Sequence, residues 1–173
     1  MKNLQYPIGK FDCPEEITAN HIKIWISDIE NLPQKISELV RNFSNEQLET
    51  SYRDGGWTAR QVIHHIHDSH HHGYIRFKWA MTEDTPKIKA YNEQLWAELF
   101  DTKLAPIGLS LDMIKALHAK WVYFLKGLSQ QDLDRAFIHP EGNITISLAE
   151  DIGIYAWHGN HHLEHLKIIA QNS

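Results

Sequence analysis

The chain has 173 residues and a single cysteine, Cys13, so no disulfide can form within it. That lack excludes a disulfide-stapled scaffold and points to a reducing, cytoplasmic setting. No run of about 18 apolar residues occurs, so no transmembrane helix is expected and no membrane partner follows. The opening stretch MKNLQYPIGKFDCPEE lacks the apolar core of a signal peptide. A basic block is missing too. The 17 Lys and Arg are interspersed with 22 Asp and Glu, and the net charge is −5 with histidines neutral. A nucleic-acid surface, which needs a clustered basic face, is therefore not expected. No Gly/Ser-rich linker, internal repeat or low-complexity segment divides the sequence, which reads as one domain over residues 1–173. A domain of this size buries roughly 70% of its unfolded surface and needs no staple.

What the chain has in excess is histidine and tryptophan, thirteen and six respectively. Ten of the histidines fall in two short blocks, residues 64–72 and 158–165.

Residues 1–14, with Pro7, Gly9 and Pro14, read as extended. Residues 15–42 read as helical, with Ile17, Ile24, Ile36, Leu39 and Val40 among the apolar positions, and Pro33 must kink that segment or restart it. Ser44 with Gln47 is a capping box for a short helix. After the loop Asp54-Gly55-Gly56, Thr58 with Gln61 is a second box. It opens a long helix to about residue 82, with Val62, Ile66, Gly73, Phe77 and Ala80 facing inward. Thr85-Pro86 breaks it. Asn92 caps a shorter helix over 93–100, and Ser110 begins a long one to about Leu128, with Met113, Leu117, Trp121 and Phe124 in step. Residues 139–143 form a turn flanked by a short extended pair. Ser147 with Glu150 is a third box, opening the last helix over 148–171. Four long amphipathic helices make an all-α four-helix bundle the economical solution. The long connections at 43–57, 83–109 and 129–147 can wall a pocket or bear a dimer contact.

His158 and His162 lie one turn apart on one helix face, a spacing at which two imidazoles chelate one ion. His161 and His165 form a competing pair. The apolar stripe of the last helix is Leu148, Ile152, Tyr155, Leu163, Leu166 and Ala170. His162 sits beside it and His158 stacks under Tyr155, whereas His161 turns away beside Trp157, Glu164 and Ile168. The 158/162 pair therefore faces the interior. A lone HxxxH is a weak signal and matches surface or satisfied core histidines equally well, so a site needs a third ligand from elsewhere. The candidates are His64, His65, His67, His70, His71 and His72, and periodicity leaves the choice open. His70 is nearest the stripe and fits a buried core histidine. His65 is at the stripe's edge beside Val62 and Ser69, and His67 with His71 fits a solvated pair.

Asp68 reads as a ligand, as the acceptor that orients a ligand histidine, or as a surface charge. A three-nitrogen set on two helices leaves positions open for water and substrate, the mark of a catalytic site. Imidazoles suit zinc, nickel, copper or iron. The zinc-protease motif HExxH has a glutamate where this chain has Gly159, so a general base must come from elsewhere. Arg60 and Arg76 read as receptors for an anionic substrate or as ion-pair partners, and Trp57 and Tyr155 as pocket lining or core packing. Cys13 has no basic neighbour to activate it. Two non-catalytic readings compete: a metal buffer with further sites at His67/His71 and His161/His165, and a stress-response binding module with a closed four-ligand site.

YRDGGWTARQVIHHIHDSH (52–70), YIRFK (74–78), YAWHGNHHLEH (155–165) and the opening YPIG (6–9) resemble the YfiT-like branch of the DinB superfamily over essentially the whole chain. The resemblance implies an up-down-down-up four-helix bundle. It also implies one divalent metal per chain, zinc or nickel, on three histidines. The first is eight residues after Trp57, which is His65; the others are His158 and His162. Members are described provisionally as metal-dependent hydrolases and resemble homodimeric proteins. Relatives elsewhere in the superfamily transfer a low-molecular-weight thiol such as bacillithiol, mycothiol or glutathione. The resemblance thus implies a small-molecule substrate, with water or a thiolate in the open metal position.

Overall fold

Helix caps set the element boundaries in the computed structural model, which describes residues 4–171. The first long helix, α1 (Ala19–Val40), starts where Thr18 and His21 cap reciprocally, four residues later than the apolar pattern suggests. Ser44 and Gln47 exchange both capping bonds at the start of α2 (Asn45–Glu49), and Thr58 and Gln61 do the same for α3 (Ala59–Thr82). The segment expected as one helix over 93–100 is two short ones, α4 (Glu93–Ala97) and α5 (Phe100–Leu104). Next, α6 (Ile107–Lys126) begins directly after Pro106, three residues before Ser110. A one-turn helix, α7 (Gln130–Leu133), leads into an antiparallel hairpin of β1 (Ala136–His139) and β2 (Ile144–Ser147). Finally α8 (Leu148–Gln171) begins with the Glu150 amide donating to Ser147 Oγ at 3.1 Å.

The four long helices pack in the cyclic order α1, α6, α3, α8, so the consecutive helices α1 and α3 lie on a diagonal. Their directions follow from who meets whom. Gly153 lies against Trp25 and Gly159 against Leu32, so α8 runs parallel to α1. His65 meets His162 while Gly73 meets Tyr155, so α3 runs against α8. His64, His70 and Phe77 meet Ser110, His118 and Trp121 in that order, so α6 runs parallel to α3. The result is an up-down-down-up four-helix bundle. Two consecutive parallel helices need a long return, which is why residues 83–106 form a crossover. It is pinned where Ile138 N donates to Pro86 O and Ile88 N donates to Ile138 O, at 2.9 and 3.0 Å.

The apolar core is in two parts. One gathers Ile26, Ile29, Phe77, Trp121, Leu125, Phe137, Leu148 and Ile152. The other gathers Leu32, Ile36, Val62, Ile63, Ile66, Ile114, Leu163 and Leu166. Between them, on three of the four helices, lie the buried histidines His70, His118 and His162 with His158. Two glycines let α8 approach its neighbours. A Cβ on Gly73 would stand 2.5 Å from the Tyr155 ring, and one on Gly159 would stand 2.4 Å from Leu32 Cδ2. Among the described residues no helix is long and apolar enough to cross a membrane.

Candidate metal centre

His65 comes from the second turn of α3, and His158 and His162 from adjacent turns of α8. Because α3 and α8 are antiparallel neighbours, the three rings face one another. Each offers one nitrogen, all within 4.8 Å of one another. His65 Nε2 and His158 Nε2 are 3.2 Å apart, and the ring centroids are 4.5–5.2 Å apart. Nitrogens bonded to zinc at about 2.0–2.1 Å in a tetrahedron stand about 3.3 Å apart. The donor set thus fits a divalent ion.

Burial keeps these rings neutral, the form a metal needs. It lowers His65 to about 4, with the neighbouring imidazoles adding to the effect and Asp68 opposing it. It also pushes His158 and His162 well below the ordinary histidine value, helped by the adjoining histidines. The Trp57 ring covers the group, 4.5 Å from His65 and 6.2 Å from His162.

The three histidines sit at one side of a cavity of about 410 Å³. Its other walls come from separate parts of the chain: Tyr6, Tyr52, Arg53, Trp57, Ser69, Tyr91, Glu93 and Trp157 among them. Among the described residues Arg53 and Glu93 are its one Lys/Arg-type cation and its one carboxylate. A site with three protein donors beside a cavity can admit a further small molecule, which a closed four-ligand site cannot.

The remaining histidines of the first block have other partners. His64 Nε2 donates to Ala105 O at 3.2 Å while His64 Nδ1 accepts from Ser110 Oγ at 2.7 Å, tying α3 to the start of α6. His72 Nδ1 donates to Asp68 O at 2.7 Å and stacks on Tyr91. His71 is exposed. His67 Nδ1 lies 3.3 Å from Asp68 Oδ1. Asp68 stays close enough to raise His65 electrostatically.

His70 is fully buried in the bundle. His70 Nδ1 is 2.9 Å from His118 Nε2, and His70 Nε2 is 3.1 Å from His158 Nδ1. In turn His118 Nδ1 donates to Ile29 O at 2.6 Å. On the second flank, His165 Nδ1 is 3.3 Å from His162 Nδ1 and His165 Nε2 donates to Leu4 O at 3.1 Å.

Tyr155, Arg76 and Arg60 lie away from the cavity wall. The Tyr155 ring centroid is 6.1 Å from that of His158, and Arg76 Nη1 donates to Tyr155 Oη at 3.2 Å. Ser69 also hydrogen-bonds Tyr155, and burial raises the Tyr155 phenol above its ordinary value. Arg60 pairs with Glu49 and donates to Ala105 O. His161, expected to turn outward, is buried because the N-terminal segment folds over it. Trp157 stacks on it at 4.7 Å, Tyr6 covers it at 5.7 Å, and Trp157 Nε1 donates to Gly9 O. Sequence reasoning missed Tyr6, Tyr52, Arg53, Tyr91 and Glu93, because these come from loops and short helices without periodicity. His118, isolated in the sequence, offered no clustering signal.

A family model described as the DinB superfamily matches residues 28–166. A protein of Oceanobacillus iheyensis is 54% identical over 169 residues, covering 98% of this chain and 97% of that protein. One from Bacillus mycoides is 51% identical over 171 residues, covering 99% and 98%. Both are named provisionally as metal-dependent hydrolases. Among solved structures, YfiT from Bacillus subtilis is described as a probable metal-dependent hydrolase with an unusual four-helix bundle topology. It aligns with a TM-score of 0.96 at 42% identity, covering 98% of this chain and 97% of that one.

Proposed function

The chain belongs to the DinB superfamily, and from that premise we propose that it is a metal-dependent hydrolase of small molecules, a single domain holding one zinc or nickel ion on His65, His158 and His162. The observation that carries this reading is the convergence of those three imidazoles, Nε2 to Nε2 at 3.2 Å for His65 and His158, beside an open cavity. A divalent ion held by these three imidazoles would supply Lewis acidity, enough to bring the pKa of a coordinated water to about 7 or to ionise a thiol.

The chain's own residues do the rest. Trp57 packs on His65 and shields the ligands from bulk water. Arg53, over the Tyr52 ring at 5.5 Å, presents a cation to an anionic part of the substrate. Glu93, from the start of α4, contributes a carboxylate to the same cavity. Asp68 biases His65 electrostatically, and Arg76 with Ser69 holds Tyr155 against the back of His158.

Metal analysis of untagged protein tests the ligand set: one ion per chain, lost in His65→Ala and kept in His71→Ala. Several ions retained by His65→Ala would favour the buffer reading instead. A screen of esters and amides with and without low-molecular-weight thiols tests the chemistry. Turnover without thiol supports the hydrolase; consumption of thiol with an electrophile moves the same site to the S-transferase class.

The homodimer belongs to this proposal as well. Leu95, Leu99, Phe100, Leu104 and Leu109 lie exposed along α4, α5 and the start of α6, Phe100 at 78% and Leu104 at 76%. A second copy covering this patch would remove apolar surface of a kind monomers rarely leave contiguous. Light scattering should give twice the chain mass for the wild type and a single chain for Phe100→Lys/Leu104→Glu.

A further inference from the structure

We propose that His118 with His70, and separately His165, are positioning residues that fix His158 and His162 as Nδ1–H tautomers, so that each presents a bare Nε2 to the metal. This rests on the metal reading above for its purpose, but its geometry stands without an ion. A carbonyl oxygen can only accept, so His118 Nδ1, 2.6 Å from Ile29 O, must carry the hydrogen. A neutral His118 then has a bare Nε2, which accepts from His70 Nδ1 at 2.9 Å. That leaves His70 Nε2 bare, and it accepts from His158 Nδ1 at 3.1 Å. The hydrogen of His158 is therefore on Nδ1, and its Nε2 lone pair points at His65 Nε2. The second chain obeys the same logic. His165 Nε2 donates to Leu4 O, its Nδ1 accepts from His162 Nδ1, and His162 Nε2 is left free.

Proline makes the first anchor possible. In α1 the carbonyl of Ile29 would ordinarily accept from the amide four residues on, and that residue is Pro33, which has none. The helix continues through the proline and the vacated carbonyl is satisfied by His118 from α6. The relay thus crosses all four long helices: Ile29 on α1, His118 on α6, His70 on α3 and His158 on α8. It lies in the gap between the two apolar halves of the core, where His70 and His118 are sealed from solvent by Trp121 edges at 5.9 and 6.1 Å. Tyr52 stacks on His165 at 3.8 Å and locks the shorter chain.

The same bonds dispose of a competing site. His161, His162 and His165 also offer nitrogens within 4.8 Å of one another. His165 is already engaged with His162 Nδ1 and with the backbone of Leu4 and Gln5, so this group supports the centre instead of forming another.

Long-range proton–nitrogen correlation spectra of metal-free protein carrying ¹⁵N-histidine read the tautomers directly. The expected pattern is Nδ1–H at His70, His118, His158 and His162, and Nε2–H at His165. His118→Phe should return His70 and His158 to a tautomer mixture and raise the Zn²⁺ dissociation constant by about 10- to 100-fold in a chelator competition. His118→Gln, whose amide keeps a donor for Ile29 and an acceptor for His70, should hold both readouts near the wild type. An Nε2–H tautomer at His158 in the wild type, or His118→Phe with unchanged tautomers and affinity, overturns the proposal. Should His118→Phe fail to fold, the wild-type spectrum still decides. Wild-type protein that binds no metal yet shows the expected tautomers would sink the metal reading alone.

Discussion

Gly159 shows how one residue can carry two constraints. It follows His158 directly, the place where an HExxH protease carries its base. It also lies under Leu32 of α1, with room for a hydrogen and nothing larger. A glutamate there would have to displace Leu32 where α1 meets α8. Gly159→Ala should destabilise the fold. Overpacking costs about 1–3 kcal/mol, against a helix-propensity gain of at most about 1 kcal/mol. Gly73→Ala should do the same, because the Tyr155 ring it meets is held by Arg76 and Ser69 and cannot swing aside. Urea unfolding midpoints check both, and a rise in either midpoint would refute the close approach. The missing glutamate was legible in the sequence. The reason for it was not, because Leu32 is more than a hundred positions away.

At the level of elements, local chemistry wrote the starts of helices clearly and their continuations poorly. The Ser44/Gln47 and Thr58/Gln61 boxes fix α2 and α3 to the residue, since a cap is a bond between neighbours in the chain. Short α5 and α7 carry too few turns for an apolar period and went unread. Arg135 is an element-scale tie of the second kind. Its Nε donates to Ala80 O at 2.6 Å and its Nη2 to Glu83 O at 2.9 Å, satisfying carbonyls at the end of α3. Its own carbonyl accepts from Leu148 N at the start of α8. Arg135→Ala should cost about 1.5–3 kcal/mol, as charge-assisted bonds do, and Arg135→Lys should recover little because one ammonium cannot reproduce the fork. Thermal denaturation of the pair measures both effects; full recovery by lysine would show that charge alone matters. Thr58→Ala should cost about 1 kcal/mol by removing the α3 cap.

On the scale of the whole molecule, the buried histidines govern acid stability. His65, His118, His161 and His165 are held to about 4, and His70, His158 and His162 well below the ordinary value, all chiefly by burial. The unfolded chain takes up protons at these rings below about 6.5 while the folded one does not. The unfolded state then binds more protons, so stability is complete above that pH and falls as pH drops from 6.5 towards 4. Asp151 opposes this: burial raises it to about 7, so its contribution declines as pH rises from the unfolded carboxylate value. Each group is worth about 1.4 kcal/mol per pH unit within its window, and several histidines outweigh one carboxyl. Metal-free protein should therefore lose its urea midpoint steeply between pH 6.5 and 4. Asp151→Asn should raise the midpoint at pH 8 and leave it unchanged near pH 4. A flat wild-type profile would show that the rings are not desolvated.

Helical period, capping pairs and the two histidine blocks are written in neighbouring residues, and they sufficed for a four-helix bundle; on α8 they point to His158 and His162 as the interior pair, whereas His161 and His165 are buried as well. The choice of His65 from six candidates came from family resemblance, because periodicity puts it only at the edge of the apolar stripe of α3 and the antiparallel docking of α8 decides which ring meets which. The cavity walls and the His118–His70 relay belong wholly to tertiary structure. A hydrogen bond across helices joins groups some 40 to 90 positions apart in the chain. No pattern within a single helix registers that a proline on α1 leaves its carbonyl to a histidine on α6.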